Sequence, residues 1–152
     1  AGLLSRFSYA FKQPEGSAYP PILQLNHIEG PVKIDGAGGQ IEFTPFEVAH
    51  GQITALGFRI GPVAYLPDVS AMPPAAWEAL AGIDCWILDA LRRDPHPSHS
   101  HLAQSIEWID QSNVARAVLT NMHNDLDYAT LQVELPKHIL PAFDGMVLSY
   151  DL

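Results

Sequence analysis

Two histidines and two aspartates stand where this sequence passes from apolar, strand-like runs into loops. His50 follows Phe43 to Ala49, Asp68 follows Val63 to Leu66, Asp89 ends Cys85 to Leu88, and His123 comes just past Ala117 to Thr120. In layered α/β folds the strand ends present their last residues at one rim of the sheet, where sites are built. Two imidazoles with one or two carboxylates on one rim make a mixed nitrogen and oxygen donor set suited to zinc, manganese or iron. Each residue alone also has a plainer role. His50 reads equally as a strand-end histidine satisfied by a backbone carbonyl, and Asp68 as a turn or capping residue that accepts backbone N–H bonds after Pro67. Asp125 and Asp127 read as caps at the mouth of the next helix. Only the combination argues for a metal.

A second cluster is Pro95-His96-Pro97-Ser98-His99-Ser100-His101. Histidine-dense tracts bind metals, but Pro95 and Pro97 hold the chain extended, so His96, His99 and His101 need not face one point. The expectation is a surface loop with one functional histidine. His27 and His138 have no comparable context and are read as structural or surface residues.

The elements that must position these residues follow from periodicity. Leu3, Leu4, Phe7 and Phe11 lie at helical spacing, ended by Gln13-Pro14-Glu15-Gly16. Residues 22–28, 32–34 and 40–48 alternate apolar and polar side chains, and residues 54–60 and 63–66 form a hairpin pattern around Gly61-Pro62, which together predict an antiparallel region. Beyond Pro67 the period lengthens. Helices are expected at 72–80, 102–109 and 128–135, with strands at 85–88, 115–120 and 146–150. That order reads as an α/β fold in one domain, with the shift near residue 68 a change of layer.

Composition excludes several classes. The chain has 152 residues, of which 47% are hydrophobic and 16% charged, enough for one domain with a core and unlike a disordered chain. Its 17 acidic and 8 basic residues give a formal charge of −9, which disfavours a large nucleic-acid footprint. A small phosphorylated substrate remains compatible if metal ions supply positive charge locally. No run reaches the roughly 18 apolar residues of a membrane span, and the lone Cys85, set in the apolar run Cys85-Trp86-Ile87-Leu88, reads as a buried inert thiol. With no disulfide framework and no signal-peptide layout, the expected location is cytoplasmic.

Six blocks in order carry a resemblance: Val48-Ala49-His50-Gly51, Tyr65-Leu66-Pro67-Asp68, Ile87-Leu88-Asp89-Ala90-Leu91-Arg92, Pro95-His96-Pro97-Ser98-His99, Leu119 to Tyr128, and Phe143-Asp144-Gly145-Met146. Together they resemble bacterial metallo-β-lactamase-fold hydrolases, nearest to the cyclic phosphodiesterase of phosphonate breakdown, with tRNA 3′-processing endonucleases further off. The resemblance implies that His50 binds a first metal, Asp68 bridges two, and His123 binds the second. Many relatives carry Thr-His-Met-Ser-His-Asp-Leu-Asp where this chain has Thr120-Asn121-Met122-His123-Asn124-Asp125-Leu126-Asp127, so the histidine has shifted within the loop. His99 aligns with the histidine that stands near the leaving group and is read as catalytic, a general acid or transition-state stabiliser, and not as a ligand.

The family's signature His-x-His-x-Asp-His, which supplies the other four ligands, does not occur among the 152 residues. The expectation is therefore the C-terminal half of the αββα metallo-β-lactamase sandwich, a single partial domain over residues 1–152. Its function would be that of a metal-dependent hydrolase, a phosphodiesterase acting on small nucleotide or cyclic phosphates through two zinc or manganese ions in a longer protein. This chain alone would reach at most partial metal occupancy. The alternative is a catalytically inactive fragment or a binding and assembly module, whose uncovered sheet face pairs as a homodimer or with the missing N-terminal half.

Overall fold

The computed structural model describes residues 2–151. Seven strands form one sheet in sequence order: β1 (Val32–Gly36), β2 (Gly39–His50), β3 (Ile53–Ile60), β4 (Val63–Leu66), β5 (Cys85–Asp89), β6 (Arg116–Thr120) and β7 (Ile139–Pro141). The first four pair antiparallel through tight turns, and β4 to β7 pair parallel. Parallel neighbours need crossovers, and three helices supply them: α3 (Pro74–Ala79), α4 (Leu102–Ser112) and α5 (Tyr128–Glu134). Two short N-terminal helices, α1 (Gly2–Arg6) and α2 (Ser8–Phe11), precede the sheet.

Strand alternation sorts the sheet into two faces. Ala64, Leu66, Trp86, Leu88, Ala117 and Leu119 are buried and share one core cluster with Ala76 of α3, Ile109 of α4 and Leu131 of α5, so all three crossover helices cover the same face. Gly57 of β3 belongs to this packing. A methyl group added there would sit 2.4 Å from the Phe46 ring, so only glycine lets that ring lie against β3.

The intervening residues form a row across the opposite face: Phe58, Tyr65, Ile87, Val118 and Leu140, each opposite the next across β3 to β7. Val118 is buried, but Tyr65 is 40% exposed. The arrangement is an α/β layer with a mixed sheet, flanked by its crossover helices on one face.

Three expectations need correction. The N-terminal helix is broken at Phe7 into α1 and α2, and of its residues only Ala10 is buried. Residues 22–28 alternate as a strand would but are fully exposed coil. Pro20 and Pro21 offer no N–H donors ahead of them, and the amides of Ile22 and Leu23 both go to the Ala10 carbonyl, not to a strand partner. Residues 146–150 are likewise not a strand. The last strand is β7, a three-residue segment that itself ends in Pro141 and follows close on Pro136, which disguises it in the sequence.

Candidate metal centre

Two successive antiparallel pairings reverse the chain twice, so β2 runs in the same direction as β4, β5, β6 and β7. Their C-terminal ends therefore reach a single rim. His50 is the last residue of β2, Asp89 the last of β5, Asp68 stands two residues beyond β4 and His123 three beyond β6.

His50 is anchored to the loop that follows β5. Its Nδ1 lies 2.6 Å from the Ser98 carbonyl oxygen, which can only accept, so the proton is on Nδ1 and the Nε2 lone pair is free. The next residue, Gly51, has φ +63, and a Cβ there would meet the Ser98 Cβ at 3.0 Å. A left-handed glycine thus turns β2 into β3 and also lets the histidine loop dock against that turn.

His99 is held by a fully buried carboxylate. Its Nδ1 lies 2.8 Å from Asp89 Oδ2, which also accepts the Val69 N–H at 3.4 Å, while Oδ1 accepts the Asn121 side-chain amide at 3.2 Å. An ionised Asp89 takes the His99 Nδ1–H, which leaves the His99 Nε2 lone pair free as well; the Asn121 amide nitrogen also lies 3.4 Å from His99 Nδ1. Burial pushes the Asp89 carboxyl above the ordinary aspartate value, and the His99, Val69 and Asn121 hydrogen bonds work against that rise. The Ser100 and Ser105 hydroxyls donate to the Asp89 backbone carbonyl at 2.8 and 2.7 Å and fix where the strand ends.

Asn121 was not singled out from sequence, apart from its place where relatives carry histidine. It adopts a left-handed backbone, φ 60, which asparagine tolerates, and its amide also donates to the Pro67 carbonyl at 3.2 Å. It ties the ends of β4, β5 and β6 together behind the rim.

His50, Asp68 and His99 each offer a ligand atom, and these atoms all lie within 4.8 Å of one another. Two donors on one zinc ion, each at about 2.0–2.2 Å, lie about 4 Å apart at most, so small side-chain rotations close this set. Both imidazoles have Nδ1 committed to an oxygen acceptor and Nε2 left to bind, the orientation metal-ligating histidines adopt. The donor set fits a divalent ion. His123 is outside it: its Nδ1 lies 3.1 Å from Asp125 Oδ1 and its side chain is 61% exposed. His96 and His99 have ring centroids 5.3 Å apart, and His50 and His99 4.6 Å. Partial burial, and then the nearby Arg92, His99 and His50, hold His96 below the ordinary histidine value. His27 pairs with Glu29 on the surface, and His138 lies 3.8 Å from Asp110. Asp127 caps α5, its carboxylate accepting the Thr130 N–H at 2.8 Å.

The family model described as the beta-lactamase superfamily domain matches residues 1–122. The chain belongs to that superfamily. A solved diphosphatase of the PhnP family superposes with a TM-score of 0.82 at 31% identity, covering 99% of this chain and 55% of that one. Zn(2+)-bound PqqB from Methylobacterium extorquens has a TM-score of 0.61 at 15% identity over 84% of this chain and 56% of that one, a likeness of fold. A curated octanoyltransferase from Porphyromonas gingivalis (strain ATCC BAA-308 / W83) is 30% identical over 93% of this chain, but the match spans 28% of its length. The chain thus spans about half of the solved relative and about a quarter of the curated one. Among the described residues, no helix of this superfamily member is long and apolar enough to cross a membrane.

Proposed function

We propose that this beta-lactamase superfamily chain carries one side of the active centre of a metal-dependent phosphodiester hydrolase acting on small nucleotide or cyclic phosphates. The observation that carries the reading is the His50, Asp68 and His99 set, with both imidazoles oriented to leave Nε2 free. The similar diphosphatase supports phosphoryl chemistry. In this reading His50 and Asp68 would hold metal, and His123 would contribute a further ligand from its exposed loop. Divalent ions, zinc or manganese, would supply Lewis acidity toward phosphoryl oxygens and toward a nucleophilic water.

His99 is the proton-handling residue of this chain. Its Nδ1–H stays with Asp89, so Asp89 orients the ring, and Nε2, which must carry a proton for this role, is the atom that gives it to a departing oxygen. Ser100 and Ser105 hold the Asp89 backbone, which keeps that geometry fixed. The further ligands and the second layer over Tyr65 and its row come from a longer polypeptide. The chain's 55% share of the diphosphatase supports this.

Turnover of bis-p-nitrophenyl phosphate by the zinc- or manganese-loaded protein tests it. His99→Ala should lower kcat by about 10²- to 10⁴-fold with metal content unchanged; full turnover contradicts the role. A second reading, favoured by the 4.8 Å grouping, makes His99 a ligand, and then His99→Ala loses metal.

A further inference from the structure

We propose that His96 is a substrate-contacting residue that holds a phosphoryl oxygen through its Nε2–H group. The inference rests on the phosphodiester reading above and adds a residue to it. The His99 ring lies 4.6 Å from that of His50 and 5.3 Å from that of His96, centroid to centroid. Three like side chains so close would pass for three ligands by composition alone. Their hydrogen-bond partners make them different.

Ser98 decides two of the three. Its carbonyl oxygen can only accept, and it takes the Nδ1–H of His50 at 2.6 Å. Its backbone N–H can only donate, and it gives to Nδ1 of His96 at 3.3 Å. His50 therefore presents a bare lone pair at Nε2, whereas His96 keeps its lone pair on Nδ1 and its proton on Nε2. The Ser98 hydroxyl also lies 3.3 Å from the same His96 nitrogen. His99 matches His50 when it donates its Nδ1–H to an ionised Asp89. His50 thus offers an electron pair to a cation, and His96 offers an N–H to an anionic oxygen. His96 is correspondingly absent from the compact ligand set.

The donor is also held in place. Pro95 and Pro97 restrict the backbone on either side, and Arg92 braces the loop by donating to the Asp94 and Pro95 carbonyls at 3.1 and 2.7 Å. In a chain of formal charge −9, an anion at this rim needs N–H donors as well as metal. His96 is half-buried, so it is reachable from solvent without opening the core.

The test uses the 152-residue chain and three readouts. Long-range proton–nitrogen correlation spectra should show the proton of His96 on Nε2 and those of His50 and His99 on Nδ1. Zinc titration should give His96→Ala the same zinc affinity as the unsubstituted chain, while His50→Ala loses it. Inorganic phosphate should then bind the zinc-loaded His96→Ala chain about tenfold or more weakly, as expected for losing a hydrogen bond to a charged group. His96→Gln, which keeps an N–H donor, should recover part of the affinity. A proton on Nδ1 of His96, zinc loss in His96→Ala, phosphate affinity within twofold of the unsubstituted chain, or no phosphate binding to the zinc-loaded unsubstituted chain each overturns the role. Zinc binding that ignores His50→Ala contradicts the metal reading itself and overturns the His96 role with it.

Discussion

His50 Nδ1 lies 2.6 Å from the carbonyl oxygen of Ser98, and this one hydrogen bond joins the end of β2 to the loop that carries His99. Residues 48 positions apart thereby become parts of one centre. The contact fixes the His50 tautomer and at the same time sets how far the His99 ring stands from it.

The first prediction concerns the approach that makes this contact available. Gly51→Ala places a methyl 3.0 Å from the Ser98 side chain at a left-handed backbone position. Strain in a non-glycine residue at such a φ costs about 1 kcal/mol or more, and the nearby Ser98 loop must shift. Zinc affinity should fall along with thermal stability. Ser98→Gly in the same chain should restore part of the zinc affinity, and calorimetric titration of the single and double variants measures it.

Asp89→Asn tests the buried partner of His99. As drawn by its donors, the Asp89 side chain accepts on both oxygens: from His99 and Val69 on one, and from Asn121 on the other. An amide has only one oxygen, so the substitution sets an N–H against a donor on one side. Losing such a supporting partner costs about 10- to 100-fold. Turnover or metal affinity should drop by that factor while the fold, read by circular dichroism, persists.

How far the sequence disclosed this centre depends on what kind of signal each residue gives. The parallel strands β5 and β6 and the rim positions of His50, Asp68 and Asp89 were legible, because apolar runs end where polar residues begin. Periodicity has no access to partners. Residues 22–28 alternate correctly yet find no neighbouring strand to pair with, and β7 was hidden because three residues, one of them a proline, carry too little pattern. Asn121 was invisible for a further reason. Its role comes from bridging the Pro67 carbonyl and the Asp89 carboxylate, 54 and 32 residues away. The opposite orientation of His96 and His50 was equally hidden, since it depends on which atom of Ser98 each ring meets.

Stability should respond to pH through Asp127. The Thr130 hydroxyl, and then the Thr130 backbone N–H, hold this capping carboxyl below the ordinary value of 3.8. A carboxyl whose folded value is depressed stabilises the fold above its unfolded value, and that contribution is lost as pH falls through the folded one. Asp127→Ala should therefore lower the melting temperature at neutral pH. The difference should shrink as pH is taken below the ordinary aspartate range, and melting curves at several pH values read it directly.

The measurement that bears most directly on the account is metal content with the two rim ligands removed one at a time. The protein is loaded with zinc, passed through a desalting column and assayed for bound metal, alongside His50→Ala and Asp68→Ala. The account predicts bound zinc in the unsubstituted protein and its loss, or a large fall in affinity, in both variants. Undiminished zinc in either variant would contradict it.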